Sequence, residues 1–229
     1  MRLFLFDIDG TLVYAHGAGR IALTRAIRET YEVPVDFDYY DSRGKTDPQI
    51  VLNLLFAAGL PAEAIRSRLN DCFDRHVRYL DTLIRNGHPV QAMPGIPELV
   101  RALSARRDSV VGLLTGNIER GAHAKLRPTG LLPHFRVGAY GSDDADRRRL
   151  PAIARERART LTGRDFPFEQ ILIIGDTPLD VDCARACGAR SVAVATGQHT
   201  YEELASCAPD MLFADFSDVD AALLALTGT

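Results

Sequence analysis

The sequence has 229 residues, of which 46% are hydrophobic and 25% are charged, and its net charge is −3. This composition is ordinary for a globular protein, and the small net charge gives no reason to expect nucleic acid or an acidic membrane surface as a partner. No apolar run approaches the roughly 20 residues that a transmembrane helix needs. The four cysteines form no Cys-x-x-Cys pair and no zinc-like cluster, so we expect free thiols in a reducing cytoplasm.

Short apolar runs recur along the chain and end in Gly, Asp or Thr. They cover residues 3–6, 109–117, 135–141, 170–176, 191–197 and 210–215. Helical periodicity lies between them at 95–107, 149–161 and 178–189. Strands that are apolar throughout and alternate with helices are typical of a parallel sheet covered on both faces. The sequence therefore predicts an α/β fold with a doubly wound (Rossmann-like) parallel sheet.

Residues 14–89 interrupt this alternation, because they contain no convincing strand. Helical patterns cover 18–31, 47–59 and 62–87, and the last of these is amphipathic. A helical insertion after the first strand, with glycines and prolines at both flanks, is typical of a lid domain on a sheet core. We therefore expect a core domain of residues 1–13 and 90–229 and a helical cap domain of residues 14–89.

Polar residues follow three of the apolar runs at the point where each predicted strand ends. Asp7 and Asp9 follow the first run, "TGN" (115–117) follows the second, and "GDTPLD" (175–180) follows the fourth. Ligands of an open parallel sheet bind beyond the carboxyl ends of its strands, so we expect Asp7, Asp9 and Asp176 to converge there. Mg²⁺ prefers oxygen ligands, and a site neutralised in this way accepts a dianionic phosphate.

A phosphate group also needs hydrogen-bond donors and room for the backbone to approach. Thr115, the amide of Gly116 and a basic residue can donate. Gly10 allows a close backbone approach, and Thr11 adds a hydroxyl group. These residues are therefore candidates for binding the phosphate.

The motifs "DIDGT", "LLTGN", an arginine-rich stretch and "IIGDTPLD" follow one another in this order. They resemble the four motifs of the haloacid dehalogenase superfamily, and the helical insertion resembles its C1-type cap. The resemblance implies that Asp7 is the nucleophile, which forms an aspartyl-phosphate, and that Asp9 is the general acid and base. It also implies a Mg²⁺ ion held by Asp7, the carbonyl of Asp9 and Asp176, with Asp180 orienting that site.

The same resemblance implies that Thr115 hydrogen-bonds the phosphoryl group, while Asn117 shapes the substrate-binding loop. The third motif of the family usually presents a lysine before a helix, but residues 143–158, "DDADRRRLPAIARERA", contain none. Arg147 fits this position best by its distance from the following helix, and Arg148 is the next candidate. An arginine there would stabilise phosphoryl oxygens and pair with Asp7.

The predicted cap contains one polar turn, "DSRGKTD" at residues 41–47. The resemblance to C1-capped phosphatases places this turn over the substrate, where Lys45 or Arg43 would meet an anionic tail. His16 lies at the hinge near the cleft. Lys125 falls on the helix after "TGN", and we expect it at the surface.

The expected protein is a Mg²⁺-dependent phosphatase of a small anionic phosphate monoester resembling phosphoglycolate, active as a monomer or homodimer. Asp9 favours phosphoryl chemistry over dehalogenation, because a halide leaving group needs no proton. Two reactions of the same superfamily stay open: phosphonoacetaldehyde-type phosphonate hydrolysis, with Lys45 forming an imine, and phosphomutase transfer. A receiver-like domain that binds phosphate on an aspartate without catalysis is a different class, but such domains are about half this size and lack the lid.

Overall fold

The computed structural model describes residues 1–35 and 42–228. Its strands are β1 (Arg2–Phe6), β2 (Val13–Tyr14), β3 (Gln91–Ala92), β4 (Ser109–Thr115), β5 (Val137–Tyr140), β6 (Ile171–Gly175), β7 (Arg190–Val194) and β8 (Met211–Phe213). Its α-helices are α1 (Ala18–Tyr31), α2 (Asp47–Ala57), α3 (Ala62–Ser67), α4 (Leu69–Arg85), α5 (Ile96–Ala105), α6 (Glu119–Leu126), α7 (Leu150–Thr162), α8 (Pro178–Cys187), α9 (Tyr201–Ser206) and α10 (Val219–Thr227). None of the helices described here combines the length and the apolarity needed to cross a membrane.

Six strands form one parallel sheet in the order β5-β4-β1-β6-β7-β8. Because successive side chains of a strand point to opposite faces, β1 supplies both halves of the core. Phe4 and Phe6 pack on the face that α5 and α10 cover, and Leu3 and Leu5 pack on the face that α7 and α8 cover. The predicted doubly wound α/β fold is confirmed.

The strand order places three polar strand ends side by side. β1 lies between β4 and β6, with Leu3 paired to Val110 on one side and to Ile171 on the other. In chain order, β4 and β5 are added to the sheet on one side of β1, and β6 is then added on the other side. This reversal makes the carboxyl ends of β1, β4 and β6 the place where a doubly wound sheet binds its ligands.

Helices α1 to α4 lie between β2 and β3, and we call this part of the chain the helical segment. β2 and β3 pair in an antiparallel arrangement, so the two connections between the helical segment and the rest of the chain lie side by side. The segment buries apolar side chains of its own, among them Leu23, Ile27, Leu55 and Phe73. Ile118, which precedes α6 of the sheet-bearing part, packs into the same cluster. The helical segment is therefore seated against the chain that follows β4.

The continuous helix expected over 62–87 is wrong, because the structure contains two helices that meet at Arg68 (φ −113°, ψ 3°). In a continuous helix the carbonyl of Ile65 would accept from the amide of Leu69. Here it accepts from the amide of Arg68 at 3.3 Å and from the Tyr31 hydroxyl of α1 at 2.7 Å. A tighter turn and a contact between helices thus take the place of the continuous-helix bond, which sequence periodicity does not reveal.

Candidate active site

Asp7 and Asp9 lie just beyond the end of β1, at the floor of a cavity of about 720 Å³. The amide of Asp7 still donates to the carbonyl of Ile174 at 2.9 Å, so the strand geometry continues to this residue. Thr115 ends β4, and Asp176 follows β6. Both side chains line the cavity beside Asp7 and Asp9. The structure therefore brings together the polar strand ends expected to meet.

A cluster of buried carboxylates lies beside this floor. Asp7, Asp176 and Asp180 each place one carboxylate oxygen within 4.8 Å of those of the other two. Burial raises the pKa of Asp7 to about 6, and it raises the pKa of Asp176 together with the charges of Asp7 and Asp180. Burial and the repulsion between these carboxylates therefore disfavour their ionised forms, and a nearby cation would favour them.

The donor set of this cluster suits Mg²⁺. The ion takes oxygen ligands at about 2.0–2.1 Å, so its ligands are at most about 4 Å apart and small side-chain shifts would suffice here. Three ionised carboxylates and the guanidinium of Arg147 sum to −3 + 1 = −2, which a divalent cation would balance. The carboxylate of Asp9 is not part of the cluster.

Both carboxylate oxygens of Asp180 already bind groups of the protein. Its Oδ2 accepts from the amide and the hydroxyl of Thr177 at 3.1 and 2.7 Å, and the bond from the amide belongs to the capping box at the start of α8. Its Oδ1 pairs with the guanidinium of Arg147. With both of its oxygens engaged by protein groups, Asp180 orients Thr177 and Arg147.

Arg147 is the basic residue that reaches the cluster. Its buried guanidinium lies 3.1 Å from Oδ1 of Asp7 and contacts Asp180, and Nη1 donates to the carbonyl of Gly44 at 3.1 Å. Burial alone would lower the pKa of Arg147, but the charges of Asp180 and Asp7 raise it overall. Arg148 instead points outward, with 62% of its side chain exposed, and pairs with Asp182 at 2.7 Å. The structure gives no support to Arg148 as a substrate-binding residue.

Gly10 and Thr11 both lie against Asp176. The hydroxyl of Thr11 is fully buried, donates to Oδ1 of Asp176 at 3.1 Å and does not line the cavity. Gly10 (φ +81°) does line it, and a Cβ there would lie 2.4 Å from Oδ2 of Asp176. Glycine is thus required by both the backbone conformation and the close approach.

Asn117 connects Asp9 to Thr115. Its Nδ2 lies 2.8 Å from Oδ2 of Asp9 and 2.9 Å from Oγ1 of Thr115. Its Oδ1 accepts from Nζ of Lys125 at 2.6 Å, and the same ammonium lies 2.5 Å from Oδ2 of Asp9. Lys125 is therefore buried at the site, and its expected position at the surface is wrong.

The turn that leads into α2 packs over the site. The amide of Asp47 donates to the carbonyl of Gly116 at 2.7 Å, and the Thr46 hydroxyl donates to the carbonyl of Ala145 at 2.7 Å. A Cβ on Gly116 would lie 2.2 Å from the carbonyl oxygen of Lys45, so Gly116 provides room for this turn as well as an amide. Arg43, Lys45 and His16 line the cavity.

Comparison with known proteins identifies the family. The model of the haloacid dehalogenase-like hydrolases matches residues 1–188. The chain belongs to this family of hydrolases. Residues 1–188 include all four motifs and the helical segment, so the family match covers the whole site described above.

Individual relatives of this haloacid dehalogenase-like hydrolase span almost its full length. A phosphoglycolate phosphatase of Synechococcus elongatus is 26% identical over 225 residues, covering 96% of this chain and 95% of the relative. A phosphoglycolate phosphatase of Rhodospirillum rubrum is 29% identical over 225 residues, covering 94% and 88%. A crystal structure of a predicted phosphoglycolate phosphatase from Haemophilus somnus superposes with a TM-score of 0.70 at 21% identity, with 97% of both chains covered.

Sequence reasoning missed two residues of the hydrolase that the structure places near Asp9. Lys125 was missed because only the packing of the helical segment on α6 buries it. Asp47 was seen as a helix start, but its Oδ2 also accepts from the amide of Ile118 at 2.8 Å, just before α6. The small residues Gly121, Ala122 and Ala124 around Lys125 are the signal that could have indicated close packing on this helix.

The pH dependence of stability should show the burial of Asp47, whose pKa is raised to about 6, chiefly by desolvation. The folded protein then binds an extra proton between about pH 4 and 6, so the contribution of Asp47 to stability is present at low pH and lost as the pH rises. The unfolding free energy of the wild type, minus that of Asp47→Asn, should fall by about 1–3 kcal/mol between pH 4 and 7.

Urea unfolding across this pH range would measure the difference. Asp210→Asn is the matched control, because the amide of Ser191 lowers the pKa of Asp210 and its contribution changes only at lower pH. A difference for Asp47→Asn that stays constant between pH 4 and 7 would contradict the account.

Proposed function

We propose that this hydrolase is a Mg²⁺-dependent phosphatase that hydrolyses a small anionic phosphate monoester through an aspartyl-phosphate on Asp7. The observation that carries the proposal is that two aspartates at the end of one strand have different surroundings. Asp7 is buried against Arg147, while Asp9, two residues later, has 31% of its side chain exposed to the cavity. Two carboxylates in such different surroundings suit two different tasks in one reaction.

In the first step, a carboxylate oxygen of Asp7 attacks phosphorus, and the bond from phosphorus to the leaving oxygen breaks. Asp9 gives its proton to that oxygen, so the alcohol leaves as a neutral molecule. In the second step, Asp9 takes a proton from a water molecule as this water attacks the phosphorus of the aspartyl-phosphate. Inorganic phosphate leaves, and the carboxylate of Asp7 is restored.

The remaining residues of the site would bind and orient the phosphoryl group. The Thr115 hydroxyl and the Gly116 amide would donate to its oxygens, and Arg147 would balance the negative charge beside Asp7. Asp7, the carbonyl of Asp9 and Asp176 would hold Mg²⁺, which would supply positive charge against the phosphate oxygens. Asp180 would keep Arg147 and its neighbours in place.

The helical segment would act as a C1-type cap, with residues 14–89 as the cap domain and residues 1–13 and 90–229 as the core domain. Its turn from Gly44 to Asp47 closes the cavity, and Lys45 and Arg43 line it on that side. These cations would select a substrate with a second negative charge near the phosphate. Phosphoglycolate is the candidate that also agrees with the names of the relatives.

The partners of this enzyme would be small phosphate esters, without nucleic acid or membrane, and the chain would act as a monomer or homodimer. All four cysteines are free thiols, which favours the reducing cytoplasm. The receiver-like alternative does not explain a hydrolase family match that includes the helical segment.

A panel of phosphate esters assayed with the purified full chain tests this function. We expect Mg²⁺-dependent release of phosphate that EDTA abolishes, with the highest kcat/KM for small carboxylated phosphates. Phosphonoacetaldehyde and sugar phosphates belong in the panel, because cleavage of a C–P bond would indicate the phosphonate hydrolase, and transfer of the phosphoryl group to another sugar hydroxyl without release of phosphate would indicate the phosphomutase. Absence of phosphate release from every ester in the presence of Mg²⁺ would contradict the proposal.

Two neighbouring arginines give a matched test of the basic residue. Arg147→Met should lower kcat/KM by at least about 100-fold, because it removes a preorganised cation from the phosphoryl site. Arg148→Met should leave kcat/KM near the wild-type value, since Arg148 is exposed and pairs with Asp182. Arg147→Lys retains the charge and serves as the variant to assay if Arg147→Met does not fold. Equal losses for Arg147→Met and Arg148→Met would contradict the assignment.

A further inference from the structure

Lys125 is a buried cation that the reaction described above does not use. It lies in α6, and only 5% of its side chain is exposed. Its ammonium group lies 2.5 Å from Oδ2 of Asp9 and 2.6 Å from Oδ1 of Asn117. Asn117 in turn donates to the same oxygen of Asp9 at 2.8 Å. Two donors thus hold one oxygen of the Asp9 carboxylate and leave Oδ1 for the leaving group.

The surroundings of Lys125 leave Asp9 as its principal counter-charge. His76 of α4 is fully buried beside α6, and neither of its ring nitrogens has a hydrogen-bond partner among the described residues. Burial lowers the pKa of His76 to about 3, with Lys125 adding to the effect, so the ring is neutral. Asp47 is also near Lys125, but its carboxylate accepts from the Ile118 amide, and among the described residues the ion pair that Lys125 forms within 4.0 Å is with Asp9.

The space around the ammonium group of Lys125 is also restricted. Gly19 of α1 faces Lys125 across the junction with the helical segment, and a Cβ there would lie 2.9 Å from Nζ. The ammonium group therefore occupies the space that a side chain at position 19 would need. If Asp9 turned away into solvent, it would leave the buried charge of Lys125 unpaired, which is strongly unfavourable.

We propose that Lys125 is a positioning residue that, with Asn117, fixes the carboxylate of Asp9 where it meets the leaving oxygen. This inference rests on the proposed phosphatase function. It assigns to Lys125 no contact with the substrate and no proton transfer. The packing of the helical segment then affects the reaction, because α1 and α4 complete the enclosure of Lys125, which holds Asp9.

The leaving group of the substrate separates a positioning role from a merely structural one. An alkyl phosphate releases an alkoxide that needs the proton from Asp9, whereas p-nitrophenyl phosphate releases a stabilised phenolate that needs it much less. Misplacing Asp9 should therefore lower kcat/KM for the alkyl ester much more than for the aryl ester. A general loss of folded protein lowers both equally.

The experiment compares the alkyl phosphate with the highest kcat/KM in the panel and p-nitrophenyl phosphate, using the full chain with Mg²⁺. Lys125→Met should lower kcat/KM for the alkyl ester by about 10–100-fold, the loss typical of removing a residue that orients a functional group, and for the aryl ester far less. Gly19→Ala retains Lys125 but displaces its ammonium group, so it should change the ratio in the same direction.

Gly121→Ala is the matched control for Gly19→Ala. It also adds a methyl group to a helix at this junction, but its Cβ would meet Ile118 and His76 only at 3.4 and 3.6 Å, which are ordinary contacts. We expect the ratio of the two kcat/KM values to be unchanged in this variant. Thermal unfolding of each variant would show that it is folded.

Equal losses on both esters in Lys125→Met, or an unchanged ratio in both Lys125→Met and Gly19→Ala, would overturn the positioning role while the phosphatase stands. A wild-type protein that hydrolyses neither ester would instead overturn the proposed function, and the inference with it. The two failures are distinguished by the activity of the wild type alone.

Discussion

The guanidinium of Arg147, bound to both Asp7 and Asp180, is the interaction on which the rest of the site depends. Removing carboxylates from water is unfavourable unless a partner compensates their charge. Arg147 compensates for two of them at once, because its planar fork presents several donors in fixed directions. A lysine, as a single point charge, could not hold Asp7, Asp180 and the carbonyl of Gly44 together in this way. The arginine in the third motif therefore links the acidic floor of the cavity to the turn that covers it.

The same interaction explains why the sheet order matters. Asp7 follows β1, Asp180 lies in the first turn of the helix after β6, and Arg147 precedes the helix after β5. Only the reversal of strand order around β1 brings these three parts of the chain to one place. The turn at Gly44–Asp47 then lies on the loop after β4, so each of the central strands contributes one wall of the cavity. Function and topology are coupled here through charge, since a divalent cation would balance the uncompensated carboxylates and would in turn attract a phosphate.

Much of this arrangement could be predicted from the sequence, because the carboxyl ends of the strands of a parallel sheet lie along one edge of the sheet. Asp7, Asp9, Thr115 and Asp176 each follow an apolar run, and that was enough to expect them together. The choice between Arg147 and Arg148 could only be ranked, since neighbouring residues at a helix start point in different directions. The buried position of Lys125 could not be foreseen, because it depends on how the helical segment packs on α6. Thr11 was predicted to bind phosphate, but a hydroxyl at that position serves Asp176 equally well on local grounds.

The central claim is that Asp7 becomes covalently phosphorylated during turnover, and trapping this intermediate tests it most directly. The full chain is mixed with Mg²⁺ and its best phosphate ester, quenched in acid within the first turnovers and reduced with borohydride. An aspartyl-phosphate is reduced to homoserine, so the peptide containing Asp7 should show homoserine at position 7 by mass spectrometry, and only when substrate was present. Turnover without this change, or the same change at another acid such as Asp9 or Asp176, would contradict the account.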